Sequence, residues 1–236
     1  MAGKRVLITG ASKGIGRAVA DRVAAAGDIP VGLARSAPAE FPGEFFEVDL
    51  ADRDATAAGL QRILAVGRID AVVNNAGLAR LARLGEIDLD DLFVTYDLNV
   101  RAAVQVVQAV LPGMLDAGWG RIVNVSSLTT LGVAERTPYA ASKAALETCT
   151  RIWARELAQS GITVNAVAPG PVETELYRER SPIGSERERQ LLQGIPLQRV
   201  AQPREIAHAI IALLNEDAGY ITGQIIRADG GGSIAA

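Results

Sequence analysis

Tyr139 and Lys143 stand four residues apart in the stretch Tyr-Ala-Ala-Ser-Lys, at the front of a helical pattern. One helical turn of separation puts the phenol and the ammonium on the same face. A fixed cation beside a tyrosine favours the phenolate, so a group whose free pKa is about 10 becomes usable as a proton donor or acceptor nearer neutral pH. Such a pair does acid/base chemistry without histidine. The sole histidine, His208, lies far along the chain in another helical pattern and reads as structural or exposed. Two ordinary residues at this spacing also recur on solvated helices, so the elements that position them decide their meaning.

Short β-branched or aliphatic runs alternate with longer helical patterns. Val6-Leu7-Ile8, Val31-Gly32-Leu33, Phe45-Phe46-Glu47-Val48, Ala71-Val72-Val73, Ile122-Val123-Asn124-Val125, Thr163-Val164-Asn165-Ala166-Val167 and Ile225-Ile226 read as strands. Most are apolar at successive positions, which means burial on both faces and therefore a parallel sheet covered by helices. Helices are expected at about 15–26, 53–66, 89–111, 137–159 and 204–214. The first places Ile15, Val19, Val23 and Ala26 on one stripe and ends at Gly27, a good left-handed cap. Strand and helix in repetition predict right-handed crossovers and an α/β fold: a doubly wound parallel sheet of about seven strands between two helical layers, one domain over residues 1–236. Residues 173–193 loosen into charged side chains with Pro182 and Gly184, a solvated helical excursion or a lid over a site.

After the first strand the chain runs Thr9-Gly10-Ala11-Ser12-Lys13-Gly14-Ile15-Gly16 and enters a helix directly. Glycines at 10, 14 and 16 let the turn tighten, let backbone approach a pyrophosphate and let the helix pack close to the sheet, while free N–H groups at the helix start face phosphate. The strand-turn-helix setting favours nucleotide binding over a bare turn.

The form Thr-Gly-x-x-x-Gly-x-Gly resembles that of the short-chain dehydrogenases/reductases, whose fold is of Rossmann type. The likeness extends over nearly the whole chain, through Asn74-Asn75-Ala76-Gly77, Asn99, Ser126-Ser127, Tyr139 with Lys143, Pro169-Gly170 and Asp229-Gly230-Gly231. It implies cofactor contacts from Gly10, Ser12, Lys13, Gly14, Ile15 and Gly16, from Asp49 and Leu50 at the adenine, and from Asn75, Ala76 and Gly77 along the adenosine. Pro169, Gly170, Val172 and Thr174 would meet the carboxamide. At the end of the second strand an acid would hold a ribose 2′-hydroxyl and a base a 2′-phosphate. This chain has Arg35 there and a second cation at Lys13, so NADP(H) is favoured over NAD(H).

By the same resemblance Tyr139 is the proton donor in reduction, Lys143 lowers its pKa and holds the nicotinamide ribose, and Asn99 holds a water that links Lys143 to solvent. Ser126 and Ser127 compete to polarise the substrate oxygen. The commoner spacing to Tyr139 favours Ser126; the distance from Asn99 and the strand-end position favour Ser127, which is the choice made, because a loop loses a residue more easily than a strand slips. The pocket would draw on residues 78–81, 128–133 and 173–193.

The expected activity is NADPH-dependent reduction of a ketone to a secondary alcohol, reversibly. The alternative is a 3-oxoacyl-[acyl-carrier-protein] reductase, the relatives most similar overall, although Gly118 and Ser160 stand where that subfamily carries basic residues for its carrier. A silent nucleotide-binding scaffold is the third reading. The single cysteine fits a reducing cytosol, and family likeness implies a homotetramer joined through the long helices and the C-terminal strand.

The 236 residues, 49% hydrophobic and 22% charged with a net charge of −3, predict no basic face and no nucleic-acid partner. No metal is expected, because no cluster of Cys, His or acid has ligand spacing. Counting apolar runs finds no stretch of about 18 residues that would span a membrane. The single cysteine, Cys149, is expected as a small buried side chain, and Trp119 and Trp153 as packing residues.

Overall fold

The computed structural model describes residues 3–235. In chain order the elements are β1 (Arg5–Thr9), α1 (Gly14–Ala25), β2 (Ile29–Ala34), β3 (Glu44–Glu47), α2 (Arg53–Val66), β4 (Ala71–Asn74) and α3 (Leu89–Tyr96). A π-helical turn, Asp97–Arg101, leads into α4 (Ala102–Ala117), followed by β5 (Gly120–Val125), α5 (Thr137–Glu156) and β6 (Ile162–Pro169). The excursion then forms α6 (Glu175–Arg178) and α7 (Glu186–Gln193) before α8 (Pro203–Leu214) and β7 (Ile225–Ala228).

All seven strands are parallel in the order β3-β2-β1-β4-β5-β6-β7. The chain winds outward from β1 in one direction and then, from β4, in the other. A crevice opens outside the carboxyl ends of these two strands, where such folds take their ligands. The alternation within β1 shows why both faces must be covered. Leu7 joins Leu33, Leu60, Ile63, Val106 and Ile122 in one core. Val6 and Ile8 join Val19, Val23, Ile206 and Ile210, from α1 and α8, in the other.

Two expectations about the long helix are corrected. It does not stop at Pro112 but runs on to Ala117, where Gly118 at φ 60° caps it. A proline removes one rung of the hydrogen-bond ladder, yet Val110 and Met114 on either side of it are buried against the sheet, which holds the helix through. As a continuous element, Leu89–Ala117 is long and apolar enough, by length and composition, to cross a membrane, which counting apolar runs had missed. Val106, Val107, Val110 and Met114 turn that apolar character into the core. Cys149 is half-buried instead of enclosed. Trp119 packs between two cations, with Lys4 Nζ 4.4 Å and Arg121 Cζ 4.7 Å from its ring.

Candidate active site

The glycine turn is fastened to the ends of β1 and β4. Thr9 Oγ1 accepts from the backbone N–H groups of Asn75 and Ala76, both at 3.0 Å, and Asn75 Nδ2 donates to the carbonyls of Thr9 at 3.0 Å and Gly10 at 3.2 Å. Gly10 and Gly14 lie at φ 66° and 59°, in the left-handed region that side chains disfavour. A Cβ at residue 16 would stand 2.3 Å from the Gly10 carbonyl oxygen and 2.7 Å from Asn75 Nδ2. Only glycine lets α1 begin so close to the turn, leaving its first N–H groups directed outward. Ser12 and Ile15 flank this cradle half-buried, and Ala76 and Gly77 continue its floor. The cradle fits a pyrophosphate, and the residues present suit a nicotinamide dinucleotide.

Arg35 is exposed just past β2 and, among the described residues, forms no ion pair. Lys13 is already paired, with Glu175 of α6, so the second cation is not free for phosphate in this arrangement. Asp49 is exposed, its Oδ1 accepting from Ala51 N at 3.0 Å. Leu50 is a core side chain, so adenine contact there falls to the backbone and the neighbouring surface. Pro169 ends β6, and Gly170 backs so closely onto Asp229 that a Cβ would lie 2.9 Å from its Cα. Val172 is buried, while Thr174 caps α6 by accepting from Tyr177 N at 3.2 Å and meets the glycine turn: its Cγ2 is 3.3 Å from where a Cβ on Gly14 would be. The excursion thus lies against the cofactor crevice as a cover of two short helices. Arg178 ties it together by binding both Glu173 and Glu188. A roomier cleft of about 510 Å³ lies beyond Gly170, lined by Pro196, Leu197, Arg199, Arg227 and Asp229, away from Tyr139.

Pro138 stands at the start of α5, where its missing N–H costs nothing, and sets Tyr139 in the first turn. Lys143 follows one turn later with its Nζ 5.9 Å from the Tyr139 ring centroid, on the shared face that the spacing predicts. Nζ donates to the Val125 carbonyl at 2.7 Å. The expected lowering of the phenol is corrected. Burial raises the Tyr139 pKa above its ordinary value, and the relief comes from the Ser127 hydroxyl and the nearby Arg136 and Arg180. Lys143 is itself so enclosed that desolvation lowers it to about 8.

The two serines separate cleanly. Ser127 lies against the Tyr139 phenol, and its Oγ accepts from Thr129 N at 3.2 Å and Thr129 Oγ1 at 3.0 Å. Ser126 turns to the other side of the strand end and donates to Glu147 Oε1 at 2.7 Å. Consecutive strand residues face opposite ways, so only one can reach the phenol. Asn99 lies in the π-helical turn, a distortion that swings one side chain inward. Its Nδ2 donates to Leu78 O and Ser142 Oγ, both at 2.9 Å, and its Oδ1 accepts from Leu78 N at 2.7 Å. Both amide hydrogens are engaged, so the side chain clamps the Leu78 backbone.

Three participants escaped the sequence reading. Glu147, buried, accepts from Ser126 and, at 3.0 Å, from Thr130 Oγ1, fixing the strand end that carries Ser127. The same one-turn stripe that pairs residues 139 and 143 continues to 147 and could have flagged it. Arg136 and Arg180 have no local signal, since only the fold brings the second to the first. His208 is exposed on α8, outside the site.

A glycine cradle at the switch point of a doubly wound sheet, with a Ser-Tyr-Lys group just past β5 and on α5, defines a nucleotide-dependent oxidoreductase. Comparison with known proteins agrees. Residues 10–233 match the family model described as enoyl-(acyl carrier protein) reductase. A 3-oxoacyl-[acyl-carrier-protein] reductase FabG of Pseudomonas aeruginosa is 38% identical, over 97% of each chain. A solved short-chain dehydrogenase/reductase family protein is 34% identical over 99% of this chain and 100% of its own, with a TM-score of 0.89. A blue fluorescent protein from a metagenomic library, solved in complex with NADPH, is 34% identical over 98% of each chain with a TM-score of 0.88. The chain belongs to the short-chain dehydrogenase/reductase family, and its chemistry is the interconversion of a carbonyl and a hydroxyl group.

Proposed function

We propose that the chain reduces 3-oxoacyl thioesters to 3-hydroxyacyl thioesters with NADPH, the activity of its FabG relatives, in preference to simple ketones. The observation that carries this reading is the placing of Lys143 Nζ 5.9 Å from the Tyr139 ring on one face of α5, in a chain similar to FabG over 97% of its length. Gly10, Gly14, Gly16 and the Asn75–Gly77 stretch would hold the coenzyme, and Arg35 favours NADP(H) over NAD(H) by supplying a guanidinium for a 2′-phosphate. When bound, the coenzyme supplies the hydride.

Ser127 orients the substrate oxygen and Tyr139 Oη gives it a proton as negative charge develops there. A phenol held above its ordinary pKa by burial is protonated at neutral pH, which suits the reductive direction. Lys143, at about 8, is mostly charged at pH 7 and supplies a proton that returns Tyr139 from phenolate to phenol after each transfer. Asn99 keeps Leu78 in place at the floor of the pocket.

Gly118 and Ser160, neither of them basic, support a thioester carried by something other than an acidic protein as the second reading. Exposed Leu89, Phe93, Val94 and Ile152 on α3 and α5 support a homo-oligomer joined through these helices, which sedimentation velocity measures. The deciding assay follows loss of NADPH absorbance with acetoacetyl groups on acyl carrier protein and on coenzyme A, beside a panel of simple ketones. Faster turnover of the thioesters is expected; turnover confined to simple ketones refutes the reading.

A further inference from the structure

Ser127 and Tyr139 are assigned to the same substrate oxygen, so the distance between them has to be held, yet the chain that joins them does little to hold it. After the short helical turn Leu128–Leu131 the chain is exposed through residue 135. Gly132 and Glu135 lie at φ 97° and 63°, the second in a left-handed conformation that a side chain disfavours. An exposed loop of this kind spans a gap without fixing its ends. The placing of the two groups must come from contacts made across it.

Those contacts converge on one carboxylate. Glu147 lies on α5 one turn past Lys143 and two past Tyr139, and it is buried. Its Oε1 accepts from Ser126 Oγ at 2.7 Å and from Thr130 Oγ1 at 3.0 Å, residues that lie on either side of Ser127. Thr130 Oγ1 also stands 3.0 Å from the Ser127 carbonyl oxygen, to which Thr130 N donates at 3.3 Å. The Thr130 hydroxyl therefore links the backbone of Ser127 to the helix that carries Tyr139. Thr129 donates to Ser127 Oγ from both its N and its Oγ1, which leaves the serine its own hydrogen for a substrate oxygen. The other oxygen of Glu147 is 3.9 Å from Arg151 Nη2. Taking a carboxylate out of water is unfavourable unless such bonds offset it, and an apolar side chain would fill the same space at less cost.

We propose that Glu147, acting through the Thr130 hydroxyl, is a positioning residue that sets Ser127 against Tyr139. It touches neither substrate nor coenzyme. This rests on the reading of Ser127 as the group that orients the substrate oxygen. A displaced serine loses its bond to the charge that develops on that oxygen, so the effect falls on kcat and not on coenzyme binding. Ser126 holds the same carboxylate from the strand side; its removal leaves the Thr130 link in place, and its loss falls mainly on stability.

The test uses Glu147→Met and Thr130→Val, which keep the size of each side chain and remove the acceptor or the donor. Both are assayed with NADPH and whichever thioester or ketone the wild type reduces fastest. Each should lower kcat about tenfold, with the Kd for NADPH changed by less than about twofold in a fluorescence titration. Thr130→Ser and Glu147→Gln, which keep the hydroxyl and an accepting oxygen, should recover most of the loss. In a Ser127→Ala background the Met and Val changes should lower kcat by less than about a further twofold, because no serine is left to position. An undiminished loss in that background, or variants that lower Tm with kcat unchanged, overturns the inference and leaves Ser127 in its role. A Ser127→Ala variant with unchanged kcat removes the reading beneath it, and the inference falls with that reading. Should Glu147→Met fail to fold, the contrast between Thr130→Val and Thr130→Ser decides by itself.

Discussion

Replacing Lys143 by Met should make the coenzyme-free protein more stable while removing its activity. Lys143 is 2% exposed, and burial moves its pKa from 10.5 to about 8. At about 1.4 kcal/mol per pH unit, holding the ammonium in place at pH 7 costs about 3 kcal/mol. Methionine has similar length and carries no charge, but leaves the Val125 carbonyl without its 2.7 Å donor, a loss of about 1 kcal/mol. The net gain of about 2 kcal/mol corresponds to a rise in Tm of roughly 4–8 °C for a chain of this size. The sign with pH follows from the lowered pKa. Between about 8 and 10.5 the unfolded chain holds a proton that the folded one has released, so wild-type stability rises relative to the variant across that window. Urea unfolding at pH 7 and pH 10 measures both differences. A variant that is no more stable at pH 7, or an advantage that persists unchanged at pH 10, refutes the claim that a buried charge is held here against its own desolvation.

Tyr139→Phe should keep coenzyme affinity, measured by fluorescence titration, and lower kcat by about 10²-fold or more, since it removes only the proton donor. Ser127→Ala should lower kcat, whereas Ser126→Ala should mainly lower stability, by about 1–2 kcal/mol, because Glu147 loses a buried donor; steady-state kinetics and urea unfolding on both variants distinguish the two roles, and the reverse pattern would exchange them. Arg35→Asp should move the ratio of kcat/KM values for NADPH and NADH toward NADH by about tenfold or more, as a charge-assisted contact to phosphate is lost and repulsion takes its place; an unchanged ratio would remove Arg35 from coenzyme choice.

The positions of the seven strands, the glycine turn and the shared face of Tyr139 and Lys143 were all readable from the chain itself. Each depends on local periodicity or on a backbone requirement that only certain residue types meet, such as the left-handed turn at Gly10 and Gly14. Where reading failed, the cause lay beyond the local pattern. The helix expected to end at residue 111 runs past Pro112 because burial on both sides carries it through. The π-helical turn points the Asn99 side chain at the Leu78 backbone, a contact no local pattern announces. A phenol beside an ammonium looked acidic, but desolvation acts on both in the opposite direction, because it depends on everything packed around a group and not on its neighbour one turn away. The sequence by itself determined a doubly wound sheet with a nucleotide turn and an acid/base pair on one helix. Only the tertiary structure decided that Ser126 turns to Glu147 and away from that pair, and that Asn99 clamps the Leu78 backbone, since these depend on side chains brought together across long separations in the chain.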